Sequence, residues 1–385
     1  MARTALTALG TSIFSEMTRL ANEKGAVNLS QGFPDFDGPK DIIDAAVDAL
    51  RSGQNQYGRS MGLVPLVEQI ALHQQRCYGL KYDALTEVCA FAGATEGIAA
   101  AMIGLLDPGD EVILFEPFYD GYPAAIAMAG AVRRVVTLRF PDFAVDAAAL
   151  AAARTPRTRM IVINTPHNPS GKVFSTAELD VIADFCLEHD VIALTDEVYE
   201  HLTYGVPHVP LATRHGMQER TVTLSSTGKT FSFTGWKVGW CTGPKELVAC
   251  VQRAHQFITF CAATPLHAAM AKALATFQDA FIADLVRDYT QRRDFLVEVL
   301  RDVGFEVSVP RGAYFVLANI RGITDEDDFT FAKRLIDEAG VAAIPPSAFY
   351  ADDVDEGRRL LRFAFCKRDE TLSLAADRLR RWRRR

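Results

Sequence analysis

The sequence predicts an α/β protein: a three-layer α/β/α domain with a mostly parallel sheet, joined to a smaller α+β domain. Three observations lead there. The chain has 385 residues, more than one simple core organises. From about residue 60 to 285, short apolar runs alternate with helical stretches, the pattern of parallel strands joined by covering helices. From about residue 281 the alternation gives way to a long charged helix, then strands and helices in mixed order.

Each element has a local reason. Residues 88–92 form a first apolar run, as expected of a strand buried on both faces. A helix over 97–106 follows, with Thr95 placed to cap it and Asp107-Pro108-Gly109 to end it. Further strands are read at 111–115, 134–138, 160–164, 191–195 and 221–224. The helix over 176–189 opens at Ser175 or Thr176 and carries Glu178 in its first turn. Trp240-Cys241-Thr242 reads as one more strand. Beyond it come a helix over 282–303, strands at 306–309, 314–319 and 361–365, and helices over 329–339 and 370–385. Residues 1–40 are expected to pack across the smaller domain, which gives a large domain over 41–284 and a small one over 285–385.

Composition narrows the partners. Hydrophobic residues make up 49% and charged residues 23%, as in soluble globular proteins. A net charge of −7 argues against nucleic acid. The basic stretch 378–385 reads as a solvated, frayed helix end. The seven cysteines include no C-x-x-C pair and have mostly apolar neighbours. They read as reduced core residues of a cytoplasmic protein, with no metal site. The apolar stretch 123–132 is too short to span a bilayer, and no signal peptide is evident.

Residues 225–240 hold two lysines, Lys229 and Lys237, among glycines and hydroxyl side chains, directly after a strand. Four readings compete. A phosphate-binding P-loop lacks its first glycine, because position 223 is Thr. A Ser-x-x-Lys hydrolase fits Ser226 and Lys229 but lacks its two companion motifs. The third makes Lys229 a Schiff-base lysine. The fourth is a glycine-rich surface turn with solvated lysines. Ligands of an open parallel sheet bind beyond the carboxyl ends of its strands. There the chain offers Gly93-Ala94-Thr95, Glu116-Pro117-Phe118-Tyr119, Thr165-Pro166-His167-Asn168, Asp196-Glu197-Val198-Tyr199 and Ser225 to Lys229. These supply a helix start, an aromatic plane, an amide, a carboxylate, a phenol and a lysine.

In this order, those residues resemble the class I/II aminotransferases, pyridoxal-phosphate enzymes of fold type I, and most closely the branch with kynurenine and methionine aminotransferases. The motifs are Asn28-Leu-Ser-Gln-Gly-Phe-Pro-Asp-Phe36, Asn55-Gln-Tyr57, Asn164-Thr-Pro-His-Asn-Pro169, Asp196-Glu-Val-Tyr199, Ser226-Thr-Gly-Lys229 and Arg362-Phe-Ala-Phe365. They span residues 28–365. The resemblance implies pyridoxal 5'-phosphate held at Lys229, with the lysine amine moving a proton once substrate displaces it. It implies that Asp196 pairs with the pyridine nitrogen, that Asn164 orients Asp196 or the ring edge, and that Asn168 and Tyr199 meet the phenolic oxygen. Phe118 would lie on the ring. Gly93, Ala94, Thr95, Ser226 and Lys237 would hold the phosphate. Tyr57 would reach the phosphate of a partner subunit in a homodimer. Arg362 would bind the substrate carboxylate, with Gly32 giving the backbone room, and Asn168 would also face the substrate. Phe14 and Phe33, with Phe118, Phe260 and Tyr350, would make an apolar and aromatic side-chain pocket.

Two positions depart from the family pattern. Thr95 stands where kynurenine-type relatives often have an aromatic, and His167 stands beside Asn168 where Asn is common. The implied reaction moves the α-amino group of methionine, an aromatic amino acid or kynurenine to a 2-oxo acid by a ping-pong cycle. A C–S β-lyase with the same cofactor and a biosynthetic enzyme for a succinylated diamino acid are the alternatives. A non-catalytic relative is opposed by the full set of Lys229, Asp196 and Arg362. Arg59 is the one further arginine considered for a dicarboxylate side chain.

Overall fold

The computed structural model describes residues 12–384. Its main sheet has seven strands in the order β2-β8-β7-β6-β5-β3-β4. These are β2 (Val88–Phe91), β3 (Glu111–Glu116), β4 (Val132–Thr137), β5 (Thr158–Asn164), β6 (Ile192–Asp196), β7 (Thr221–Ser226) and β8 (Gly239–Thr242). The pairs β3–β4, β3–β5, β5–β6 and β6–β7 are parallel. Only β8 runs against its neighbours, β2 and β7. The carboxyl ends of β2, β3, β5, β6 and β7 therefore share one edge. Strands β2, β3, β6 and β7 are buried along their whole length, as expected of a sheet covered on both faces.

The smaller unit contains an antiparallel sheet, β12-β10-β9, made of β9 (Glu306–Ser308), β10 (Phe315–Asn319) and β12 (Leu360–Ala364). A parallel pair joins β1 (Val27–Asn28) to β11 (Val341–Ala342). The helix Ile13–Lys24 buries Ile13, Met17 and Ala21 in the same apolar core as Phe331, Leu335 and Phe363. The chain's early residues thus share a core with its last third.

Three local readings change. The helix expected at 97–106 runs over Ala94–Leu105, and its N-cap is Gly93 rather than Thr95. Gly93 has φ 84°, a left-handed turn that a glycine takes without strain. Through Arg383 the basic stretch is not frayed but helical, and helix Asp369–Arg383 is docked through Arg378, Arg380 and Trp382. Arg378 donates to the carbonyls of Gly25 and Gly340, both helix C-caps, and Trp382 donates to Glu338. Cys77 is exposed, whereas Cys89, Cys186, Cys241 and Cys366 are buried as expected. The cap of Thr176–His189 forms as a full capping box between Ser175 and Glu178. Among the described residues, no helix is long and apolar enough to cross a membrane.

Candidate active site

A cavity of about 130 Å³ opens at the shared carboxyl edge of the main sheet. At its floor, strand register sets Asn164, the last residue of β5, beside Asp196, the last of β6. The Asn164 amide donates to the Asp196 carbonyl at 2.8 Å, and its Oδ1 accepts from the Asn168 backbone N–H at 2.6 Å. Asn164 therefore splints two strand ends. The Asp196 carboxylate accepts from Tyr122 Oη at 2.7 Å and from the Val198 N–H at 3.3 Å. Burial pushes its pKa up, opposed by the Tyr122 hydroxyl and the nearby Lys229 charge.

Lys229 projects from the short helix Thr227–Thr230 that follows β7. Its Nζ lies 5.6 Å from the centre of the Tyr199 ring and 5.7 Å from that of Tyr314. Enclosure by these rings lowers its pKa to about 8 through burial. A larger share of the amine is then neutral near physiological pH, the form that attacks a carbonyl.

The other end of the cavity is built for an anion. Gly93, Ala94 and Thr95 start a helix of 12 residues, whose free N–H groups carry partial positive charge. Ser226 and Lys237 line the same end, and Lys237 Nζ stands 3.4 Å from Thr95 Oγ1. A Cβ on Gly93 would come within 2.8 Å of Lys237 Cε. A Cβ on Gly239 would come within 2.4 Å of the Ala94 nitrogen, so both glycines permit the close approach.

Arg362, on β12, is buried beside this cavity. Its Nη1 donates to Asn168 Oδ1 at 2.9 Å and its Nη2 to the Ser30 carbonyl at 2.9 Å. Phe315, Phe14 and Phe349 surround the guanidinium at 4.1, 5.1 and 5.3 Å. Burial lowers its pKa to about 10, which leaves it charged at neutral pH. Its Nε is buried without a partner, a donor still available to a carboxylate.

Most of the expected residues converge here: Lys229, Asp196, Tyr199, Asn164, Asn168, Gly93, Ala94, Thr95, Ser226 and Lys237 all line the cavity. Phe118 does not. Its N–H is bound to the Phe349 carbonyl and its side chain is packed in the core with Ile98 and Tyr122. The adjacent Tyr119 lines the cavity in its place. Gly32 is held by its carbonyl to Tyr314 Oη at 2.6 Å, and a Cβ there would come within 2.7 Å of the Phe315 ring. Its small size therefore serves the packing beside Arg362. Phe14 joins that aromatic group, 5.7 Å from Phe349. Phe33 is 46% exposed, with its ring under Lys367 at 4.8 Å. Tyr57 and Phe260 sit on the outside, edge to face at 5.3 Å. Tyr350 is buried against Gly357. Arg59 is tied to the Leu85 carbonyl at 2.6 Å. His167 is buried and hydrogen-bonded to Ser170 at 2.6 Å, and burial lowers its pKa to about 3, a neutral loop residue.

Tyr122 and Tyr314 were given no role by sequence, and Tyr119 and Ser30 appeared only inside longer motifs without a role of their own. Tyr119 and Tyr122 carried one available signal, since both lie just past β3 at the ligand-bearing edge.

The residues fit pyridoxal phosphate. An anion cup at a helix start and a buried carboxylate lie in one cavity with an amine, and the unpartnered Arg362 Nε lies beside it. When bound, that cofactor supplies an aldehyde for an amine and a ring that accepts the electrons left by Cα deprotonation.

Comparison with known proteins agrees. Residues 24–379 match the family model for aminotransferase class I and II. A probable N-succinyldiaminopimelate aminotransferase of Mycobacterium tuberculosis is 47% identical over 380 residues, covering 96% of this chain and 95% of its own. The methionine aminotransferase of Escherichia coli is 40% identical over 373 residues, covering 97% and 96%. The solved structure of N-succinyldiaminopimelate aminotransferase from M. tuberculosis superposes with a TM-score of 0.96, covering 99% of this chain and 100% of that one. This chain belongs to the class I and II aminotransferases, enzymes of fold type I that depend on pyridoxal phosphate.

Proposed function

We propose that the enzyme takes the α-amino group from an apolar or aromatic amino acid, of the methionine, aromatic or kynurenine type, and passes it to a 2-oxo acid. The observation that carries this is the aromatic collar of Phe14, Phe315 and Phe349 around Arg362. Arg362 would take the substrate carboxylate through its free Nε and a neighbouring N–H. The Lys229 amine would lift the proton from the substrate Cα and return it at the cofactor carbon that receives the nitrogen. Asp196, with Tyr122 behind it, would hold a proton on the pyridine nitrogen. Tyr199 and Asn168 would donate to the phenolic oxygen. The helix start at Gly93, with Ser226 and Lys237, would hold the phosphate.

A second reading has its own support. The 47% identity to the M. tuberculosis relative favours a succinylated diamino acid as donor. A panel of donors, read as the spectral change of the first half-reaction, separates the two. Methionine, phenylalanine and kynurenine should react at least tenfold faster than aspartate at equal concentration. N-succinyldiaminopimelate outrunning all of them by that margin would replace the first reading with the second.

The reading extends to assembly. We infer a homodimer in which Tyr57 reaches the partner's phosphate. Tyr57 is 85% exposed and packs on Phe260, and Phe257 is 84% exposed with Ile258 next to it in the chain, exposed apolar side chains of the kind that interfaces cover. Residues 41–284 would form the cofactor-binding domain and 285–385 the small domain. A cytoplasmic location is supported by the unpaired cysteines.

A further inference from the structure

Behind the lysine loop, separate from the main cavity, lies a second cavity of about 10 Å³, room for a single water-sized group. His73, Glu200, His201, Thr227, Thr230 and Trp240 border it. Glu200 borders it and is buried. Its Oε2 accepts from Tyr78 Oη at 2.6 Å and pairs with His73 Nε2 at 3.0 Å. Its Oε1 accepts from the Ser225 hydroxyl. Both His73 and Tyr78 come from the helix Val64–Tyr78, and Ser225 from β7. Glu200 is therefore a junction of three elements.

The three ligand atoms of His73, Glu200 and His201 lie within 4.8 Å of one another, a grouping a metal ion can use. Here the position is already filled. Glu200 accepts from three side chains, and the Arg76 guanidinium borders the same cavity, where it repels a cation. Burial alone would keep His73 neutral, but the Glu200 carboxylate and the hydrogen bonds outweigh it and raise its pKa. The proton on His73 does the work of a cation.

The junction faces away from the reaction yet holds the residues that perform it. At the end of β6 and in the turn after it, Asp196 and Tyr199 face the main cavity, while Glu197 and Glu200 are tied behind it, Glu197 to His208 at 2.7 Å. Ser225 precedes the cavity-lining Ser226 and stands four positions before Lys229. We propose that Glu200, His73 and Ser225 act as one set of positioning residues, which fixes the distance between Lys229 and the Asp196–Tyr199 turn. This rests on the roles proposed above for Lys229 and Asp196. A displacement of about 1 Å in such a constellation lowers rate by roughly 10²-fold.

Ser225→Ala cuts the tie to β7 without leaving a buried charge unpaired, and Glu200→Gln keeps the shape of the junction without the charge. Each, and the double variant, is compared with wild type in three measurements. These are the first half-reaction at saturating methionine and cofactor, the Kd of the apo-protein for pyridoxal phosphate, and the Tm of the apo-protein. Each single variant should lose tenfold or more in rate and bind cofactor several-fold more weakly, with KM for the donor unchanged. The double variant should be no worse than Glu200→Gln, because residues acting as a unit are not additive. A lowered Tm with wild-type rate and Kd would reduce the junction to a structural role and overturn the proposal. So would additive losses, or stoichiometric Zn²⁺ binding that His73→Gln abolishes. Wild-type protein that takes up no pyridoxal phosphate would instead strike the proposed function beneath it.

Discussion

Arg362 and Asn168 are joined by a 2.9 Å hydrogen bond that links the small unit to the loop after β5. The Asn168 backbone N–H donates to Asn164, and the Asn164 amide donates to the carbonyl of Asp196. A polar chain thus runs from the buried guanidinium to the backbone of Asp196, the residue that bears the buried carboxylate. Arg362 and Asp196 are positioned through one framework, built from a motif of six residues and the strand beside it.

Arg362→Lys tests the fork at one end of that chain. An ammonium cannot keep both the Asn168 and Ser30 hydrogen bonds and still offer a two-pronged contact to a carboxylate. Losing one or two charge-assisted hydrogen bonds is worth about 1.5–3 kcal/mol each, so kcat/KM for amino donors should fall by roughly tenfold or more. Cofactor affinity should stay within about threefold, because Arg362 lies outside the phosphate end. Steady-state kinetics beside a cofactor titration distinguishes this from general damage.

Lys229 makes apo-protein stability depend on pH in a set direction. Burial holds its folded pKa at about 8, against an ordinary 10.5. Between those values the unfolded chain binds more protons, so stability rises with pH. The contribution is complete above about 10.5 and is lost as pH falls through about 8. Lys229→Met removes this titration and leaves the other groups in place. Its stability advantage over wild-type apo-protein should therefore shrink by about 2–3 kcal/mol from pH 7 to pH 10.5. Urea unfolding of both proteins at matched pH measures it, and a constant difference would refute the buried-amine assignment.

Much of this site was legible because parallel strands read as apolar runs that end in polar residues. Asn164, Asp196 and Ser226 could be found by walking off the ends of β5, β6 and β7. The choice between Phe118 and Tyr119 was not local. It depends on Phe118 N–H binding the carbonyl of Phe349, far along the chain. The cap at Gly93 depends on a left-handed backbone that a Gly-Ala-Thr triplet permits but does not dictate. Arg378 looked like part of a loose basic tail because its two acceptor carbonyls, at Gly25 and Gly340, belong to other helices. Side-chain pairs across the fold, such as Tyr122 with Asp196, leave no trace in local pattern.

Gly93→Ala separates crowding from backbone strain. Gly93 has φ 84° and its Cβ would meet Lys237 Cε at 2.8 Å. Gly53 has a similar φ of 87° with nothing within 4 Å of its Cβ. Alanine at either position must take a positive φ, and at 93, where ψ is 162°, it must do so in an extended region that essentially only glycine occupies, at a cost of about 1–3 kcal/mol. Only alanine at 93 also displaces Lys237 from the anion cup. Both variants should lose stability in the apo form, while only Gly93→Ala should weaken pyridoxal phosphate binding, by about tenfold. Equal cofactor affinity in the two would mean that Lys237 is not part of the cup.

Tyr57 can be assigned to its own or its partner's site by mixing two inactive proteins. Its ring is 85% exposed and packs edge to face on Phe260, with no contact to the cavity of its own chain. If it serves the partner, a mixed dimer of Tyr57→Ala and Lys229→Ala subunits holds one site with both residues intact and one with both lost. Refolding the two variants together at equal amounts then restores about a quarter of wild-type activity per subunit, since half the dimers are mixed and half their sites intact. If Tyr57 serves its own subunit, every site in the mixed dimer carries one lesion and activity stays at the level of the separate variants. Activity of the refolded mixture, measured beside each variant refolded alone, decides between these outcomes. A dimer peak in sedimentation confirms that the mixed species could form, and a monomer would remove the partner role for Tyr57 altogether.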